Sequence, residues 1–290
     1  MLNPWAKAKA LLLERQRRQA RNSLAIYAGL HIPAEIERDD LPALHNLPIA
    51  ARYIPAAHHR LLIEKLEALE RGYVVEAGAR VPFNRLLVCM PPGSAKSTYA
   101  STIFPAWYLG RNPTDSVIAA SQTQELADRF GRRARNLVAS RIHMDVFGAG
   151  LAPDQRAAGH WEVAQGGEYH ATGVQPFAGR RGDGVICDDL LRGRKDADSK
   201  TVRNSVWEWY LSDIRPRLKP GAWILMISTR WHEDDPIGRI LPAESIGKSG
   251  WVTSKDGERW YVLSLVAVVE TLEEQDNDPL GRKIGDILWP

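Results

Sequence analysis

Five short apolar runs punctuate the chain, at 86–90, 116–120, 184–188, 223–227 and 260–269, and amphipathic stretches lie between them. Each run is rich in Val, Ile, Leu or Trp and bounded by turn residues, which predicts buried strands. Residues 58–70 place Leu62, Ile63, Leu66 and Leu69 on one side of a helix. A second helix is predicted over 122–139, with Ser121 as its cap and Gln124 three positions on. Its apolar stripe is Leu126, Phe130, Leu137 and Val138, and Arg129, Arg132, Arg133 and Arg135 line its other face. A third helix, over 198–214, carries Val202, Val206, Tyr210 and Ile214 along one side. Residues 160–174 alternate around Gly166-Gly167, the pattern of a hairpin. Residues 6–28 read as a basic amphipathic helix, and the Pro-punctuated residues 29–56 as irregular.

Strands alternating with helices predict an α/β fold whose mostly parallel central sheet is covered by helices on both faces. Ligands of such sheets sit beyond the carboxyl ends of the strands. With 290 residues, the chain is long enough for one large domain with an appendage. A net charge of +3 is too small to argue for nucleic acid by itself. Cys89 and Cys187 each fall in a predicted strand and read as reduced core thiols of an intracellular protein. No apolar run approaches membrane-spanning length, so no membrane contact is expected. Leu11-Leu12-Leu13 precedes Arg15, Arg17, Arg18 and Arg21, the wrong order for a secretory signal.

The strand at 86–90 opens into Pro91-Pro92-Gly93-Ser94-Ala95-Lys96-Ser97-Thr98. Strand, tight turn, Lys with two hydroxyl residues, then a helix start is the order of a P-loop. Backbone N–H groups and the helix dipole favour a phosphate there. Pro92, Gly93, Ser94, Ala95, Lys96, Ser97 and Thr98 are the candidate nucleotide-binding residues. Lys96 is expected to reach the β- and γ-phosphates, and Ser97 to hold magnesium. The loop departs from GxxxxGK[ST], because Met90 and Ala95 stand at the two glycine positions.

The run at 184–188 ends in Asp188-Asp189, a Walker B pattern. Asp188 is assigned to the metal and Asp189 to the attacking water. Ser228-Thr229-Arg230 ends the strand at 223–227, where some P-loop ATPases sense the γ-phosphate. Arg180, on the Gly-flanked loop 179–183, suits phosphate, DNA or a neighbouring subunit's nucleotide. His232-Glu233-Asp234-Asp235 precedes Pro236, where acidic residues suit a helix N-terminus better than a metal site.

In this order the chain resembles the ATPase part of the large terminase subunit of tailed bacteriophages. The likeness runs through HHRLLIEKLEAL, MPPGSAKSTYAS, FPAWYLGRNP, VIAASQTQELADRFGRRAR, AGRRGDGVICDDLLRGRKDADS, VWEWYLSDIRPRLKPGA and STRWHEDDPIGRIL, most of residues 55–241. The resemblance implies a ring-forming P-loop NTPase of the additional-strand class. It would hydrolyse ATP with magnesium to drive double-stranded DNA into a prohead in the host cytoplasm. It also implies a portal protein and a small terminase subunit as partners. Lys96, Ser97 and Thr98 match the Walker A tail, Asp188 and Asp189 the Walker B end, and Ser228 and Thr229 the coupling motif. Arg180 matches an arginine that acts across subunits, and the helix at 58–70 lies where such proteins place adenine contacts. Asp189 stands where many relatives have Glu.

The expected division is an N-terminal arm (1–54), an ATPase core (55–270), and a linker (271–290) toward a C-terminal nuclease domain that is expected to be absent. No nuclease activity is expected. A helicase-like P-loop translocase and a nucleotide-binding assembly adaptor with little turnover are the alternatives.

Overall fold

The computed structural model describes residues 4–32, 55–177 and 179–289. Its centre is a nine-stranded sheet ordered β10-β11-β3-β9-β8-β4-β7-β6-β5, with a separate β1-β2 hairpin. The strands are β1 (Tyr73–Glu76), β2 (Ala79–Pro82), β3 (Arg85–Cys89), β4 (Ser116–Ser121), β5 (Leu151–Arg156) and β6 (His160–Val163). They continue as β7 (Glu168–Thr172), β8 (Gly182–Asp188), β9 (Leu218–Ser228), β10 (Gly250–Thr253) and β11 (Arg259–Ser264). From β11 to β7 all neighbours are parallel, and β10, β6 and β5 add antiparallel margins. β9 lies between β3 and β8, so an additional strand separates the P-loop strand from the Asp-pair strand. The fold is that of an additional-strand P-loop protein.

Alternation explains why the central strands read as continuous apolar runs. Leu86 and Val88, Leu225 and Ile227, and Ile186 face one core. Leu87, Ile224 and Met226, and Val185 and Cys187 face the other. Each strand is thus covered on both sides. The first core is closed by the helices Ala57–Arg71, Phe104–Arg111 and Gln124–Val138, the second by Lys200–Trp209 and Pro236–Ile240.

Several boundaries differ from the sequence expectation. The N-terminal helix is two, Pro4–Ala20 and Leu24–His31, because the Ser23 side chain accepts the Ile26 N–H and starts a new helix. Residues 33–54 of the irregular arm lie outside the described residues. Ser121 is the last residue of β4, and Thr123 is the cap, accepting from Leu126 N. The face of that helix against the core is Ala127, Phe130, Gly131, Ala134 and Val138, while Leu126 and Leu137 are only half-buried. The helix expected over 198–214 begins at Lys200, capped by Ser199, and loosens into a π turn at Tyr210–Ile214. β9 begins five residues before the apolar run, and a bulge against β8 accommodates Pro220. β11 ends at Ser264, not Val269, because its partner β3 ends at Cys89. The outer margin of β5, unpaired among the described residues, carries Pro153 with exposed Asp154 and Arg156. The segment after β11 folds back: Val268 bridges Ile287, Leu288 is buried, and Trp289 packs on His58 and His59.

Gly184 of β8 lies opposite Trp223 of β9. A Cβ there would come within 2.0 Å of the indole. That ring is itself fixed edge-on by Phe104 and Tyr108. Gly184→Ala should therefore cost about 1–3 kcal/mol through overpacking, read as a lower urea midpoint with an unchanged slope.

Candidate functional site

The parallel strands β3, β8 and β9 end on the same side of the sheet, and there the backbone turns sharply. Gly93 has φ +80° and Ala95 φ 57°. The left-handed region is open to glycine and costly for alanine. The position that the P-loop pattern gives to glycine is thus one whose conformation asks for it. The Ser94 N–H donates to Pro91 O at 3.4 Å, and the chain enters a helix from Lys96.

Five predicted side chains meet here. The buried Lys96 amine donates to Thr229 Oγ1 at 2.8 Å and lies 3.5 Å from Asp189 Oδ2. Ser97 Oγ donates to Asp188 Oδ1 at 3.1 Å. Ser101, one helical turn on, donates to the other Asp188 oxygen. The two carboxylates are adjacent in sequence yet serve different partners. Asp189 takes a left-handed φ of 46°, tolerable for an aspartate, and its N–H donates to Ile227 O at 2.9 Å. Its Oδ1 accepts the Thr229 N–H at 2.7 Å.

Burial raises the Asp188 carboxyl to about 6, and the neighbouring Asp189 charge adds to the rise. The Ser101 and Ser97 hydroxyls and Lys96 oppose it. Ser97 and Asp188 offer hard oxygen donors of the kind magnesium takes.

The other predicted residues are placed differently. Ser228 Oγ donates to Thr229 O, outside the lysine contact. Arg230 turns away: its Nε donates to Asp235 Oδ2 at 2.6 Å, and its guanidinium also reaches His232 O and Glu233 O. Asp235 caps the helix Pro236–Ile240 by accepting from Gly238 N, and Asp234 pairs with Arg203 and Arg239. Hydrogen bonds from Arg239 lead in holding Asp234 at about 2. The acidic run is thus committed to a helix start and to arginines.

Arg180 precedes β8, at the opposite end from Asp188. A seven-residue strand separates them, about 20 Å at strand rise. Arg180 contacts Glu168, His170 and His160. It does not join the Lys96 cluster.

Sequence reasoning missed Ser101, although its spacing of four from Ser97 puts both on one helix face. It also missed the aromatic wall beside the loop. His59 donates from Nε2 to Ser94 O at 3.2 Å, and its ring lies 4.8 Å from Tyr99 and 5.1 Å from Trp289. Burial, with His58 beside it, pushes His59 down to about 4, so the ring is neutral. No local pattern reports Trp289, which arrives from the end of the chain.

Two measurements test this geometry. Ala95→Gly should raise stability by roughly 1 kcal/mol by relieving the left-handed alanine, seen as a melting point higher by about 2 °C. The pH dependence concerns Asp188. Its folded-state value lies above the ordinary 3.8, so its stabilising protonation is complete below that and lost as pH rises through about 6. Asp188→Asn cannot lose it. The stability of the Asn variant relative to the parent should climb across this window, by on the order of 3 kcal/mol. Calorimetry on both sides of the window reads the difference, and a flat difference would remove the buried-carboxylate account.

Among curated proteins, none matches the chain. Among solved structures, the large-terminase ATPase domain of Thermus phage P74-26 aligns at 19% identity with TM-score 0.37, over 50% of this chain and 59% of that one. This chain thus spans less than two thirds of that domain. A substituted form of the same domain aligns at 19% identity and TM-score 0.40, over 63% of this chain and 76% of that one. The large terminase of bacteriophage HK97 aligns at 12% identity and TM-score 0.40, over 76% of this chain and 48% of that one. The family described as terminase large subunit, T4likevirus-type, N-terminal, matches residues 87–283, which include the P-loop from β3 onward, the Asp pair and the 228–230 segment. The chain belongs to this family of phage terminase large subunits.

Proposed function

We propose that the chain is an ATP-hydrolysing motor that couples hydrolysis to translocation of double-stranded DNA during packaging. The observation that carries the reading is the meeting of Lys96, Ser97, Asp188 and Asp189 at the carboxyl end of the sheet. Backbone amides of Pro92–Thr98, save the prolyl nitrogen, cradle the phosphates. Lys96 exchanges Thr229 and Asp189 for the β- and γ-phosphates. Ser97 and Asp188 hold magnesium, which neutralises charge on those phosphates when bound.

Once Lys96 turns to the phosphate, Asp189 is free to orient the attacking water and take its proton. Thr229 is tied to both Lys96 and Asp189 and therefore reads the change. Ser228 shares this strand end, and Arg230 ties it to Asp235 at the start of the next helix. This path supports Ser228, Thr229 and Arg230 as the coupling segment. Arg180 serves the phosphate of a neighbouring subunit, in keeping with its place at the far end of β8.

The motor works as a homo-oligomeric ring on a portal protein, with a small terminase subunit, in the host cytoplasm. DNA contacts go chiefly to phosphates, because a packaging motor must ignore sequence. No helix of the described residues is long and apolar enough to cross a membrane.

Phosphate release from magnesium-ATP is the test. The parent should turn over. Lys96→Ala should lose turnover and bind ATP more weakly, and Asp189→Asn should lose turnover alone. Arg180→Ala should bind ATP yet hydrolyse it poorly, and mixing it with Lys96→Ala should recover part of the rate. A parent that binds ATP and releases no phosphate would instead be a nucleotide-binding assembly adaptor. Mixing that restores nothing while rings form would move Arg180 out of the transfer step.

A further inference from the structure

The hairpin β6–β7 carries a pattern that ATP hydrolysis does not use. Its sequence, His160-Trp161-Glu162 … Glu168-Tyr169-His170, reads nearly the same in both directions. The antiparallel register pairs His160 with His170 and Glu162 with Glu168. Successive strand residues point to opposite faces, so the hairpin sorts its side chains in two. Trp161 and Tyr169 stack on one face in the core, 4.8 Å apart and nearly parallel. The two histidines and two glutamates form a square on the other.

Three of its corners converge, and Glu162 joins them through His160. The imidazole centroids are 4.3 Å apart. His160 Nε2 lies 3.6 Å from Glu162 Oε1 and 4.0 Å from Glu168 Oε2. His170 Nε2 touches Glu168 Oε2. Among the described residues, His160, Glu168 and His170 bring three potential ligand atoms within 4.8 Å of one another. A tetrahedral ion with bonds of about 2.1 Å needs ligand atoms about 3.4 Å apart, so small side-chain movements suffice.

The square already holds a cation. One terminal nitrogen of Arg180 lies 2.8 Å from His170 Nε2, 3.2 Å from Glu168 Oε2 and 3.4 Å from His160 Nε2. A guanidinium only donates and a carboxylate only accepts, so His170 Nε2, which touches both, gives its lone pair to Arg180 in one tautomer and its proton to Glu168 in the other. A metal in place of Arg180 would take the Nε2 lone pairs of the Nδ1-protonated tautomers.

We propose that this square binds one divalent transition-metal cation of the zinc class. His160 and His170 ligate through Nε2, with the Glu168 and Glu162 carboxylates completing the shell, and Arg180 is the competing internal cation. Two nitrogens and two oxygens suit zinc or cobalt and are a poor cage for magnesium, which prefers oxygen alone. Arg180 is half-exposed on a loop that starts at Gly179, beside an open basin also lined by Ser116, Arg181 and Lys219. It can swing out without unfolding the hairpin.

The test is direct titration of the full chain with zinc chloride by calorimetry and with cobalt chloride by visible absorption. Millimolar magnesium is present to occupy the Ser97–Asp188 site. One ion per chain should bind, and cobalt should give the intense bands of a tetrahedral site. His160→Ala should weaken binding by more than about tenfold, His170→Ala likewise, and Arg180→Ala should tighten it by removing the competitor. His160 is partly exposed, so its variant should keep the parent's melting point and isolate the ligand effect. If His170→Ala fails to fold, His160→Ala and Glu162→Gln decide. The proposal is overturned if the parent takes up no stoichiometric ion, or if His160→Ala binds zinc as well as the parent does. None of these readouts depends on ATP turnover.

Discussion

Two negative charges side by side at the end of a buried strand repel, and most of the site follows from how this chain keeps Asp188 and Asp189 apart. An extended backbone would have sent Asp189 through the sheet to the opposite core. The left-handed turn at Asp189 ends the strand instead and aims its carboxylate at Lys96 and the Thr229 amide. Asp188 keeps the strand's direction and meets Ser97 and Ser101 on the helix after the loop. The inserted strand β9 makes this possible, because it supplies Ile227 O and Thr229 between the other two strand ends.

Much of this was legible in the sequence. Runs buried on both faces are continuous, so β3, β4 and β8 were found almost to the residue. Lys96, Ser97, Asp188 and Asp189 stood out because phosphate and metal chemistry restrict the residue type at the end of a strand. What escaped depended on tertiary pairing. β9 begins early because β8 offers it a partner across a bulge, and β11 ends early because β3 does not continue. The choice of Thr123 over Ser121 as cap turned on which residue the strand released first. The hairpin at 160–174 was visible as alternation, while the meeting of its four polar side chains needed the register.

Departures from the P-loop pattern also become intelligible. Ala95 was a departure by letter, but its backbone adopts the glycine conformation all the same. The loop keeps its path and carries local strain of a kind that concentrates where proteins bind ligands. The aromatic wall of His59, Tyr99 and Trp289 shows a related economy. Two distant segments join Tyr99 beside Ser94, and the later of them folds back from beyond β11. The loop is thus braced from outside its own sequence.

Among the described residues the outer margin of β5 has no strand beside it, which bears on how another protein surface can touch it. A bare strand edge invites another strand to add to it, and such a seam is hard to undo. Here a proline removes one donor and two charges face the solvent. A neighbour approaching this flank would meet side chains and water, not a waiting ladder of amides. Contacts of that kind can slide, tilt and let go, as paired strands cannot.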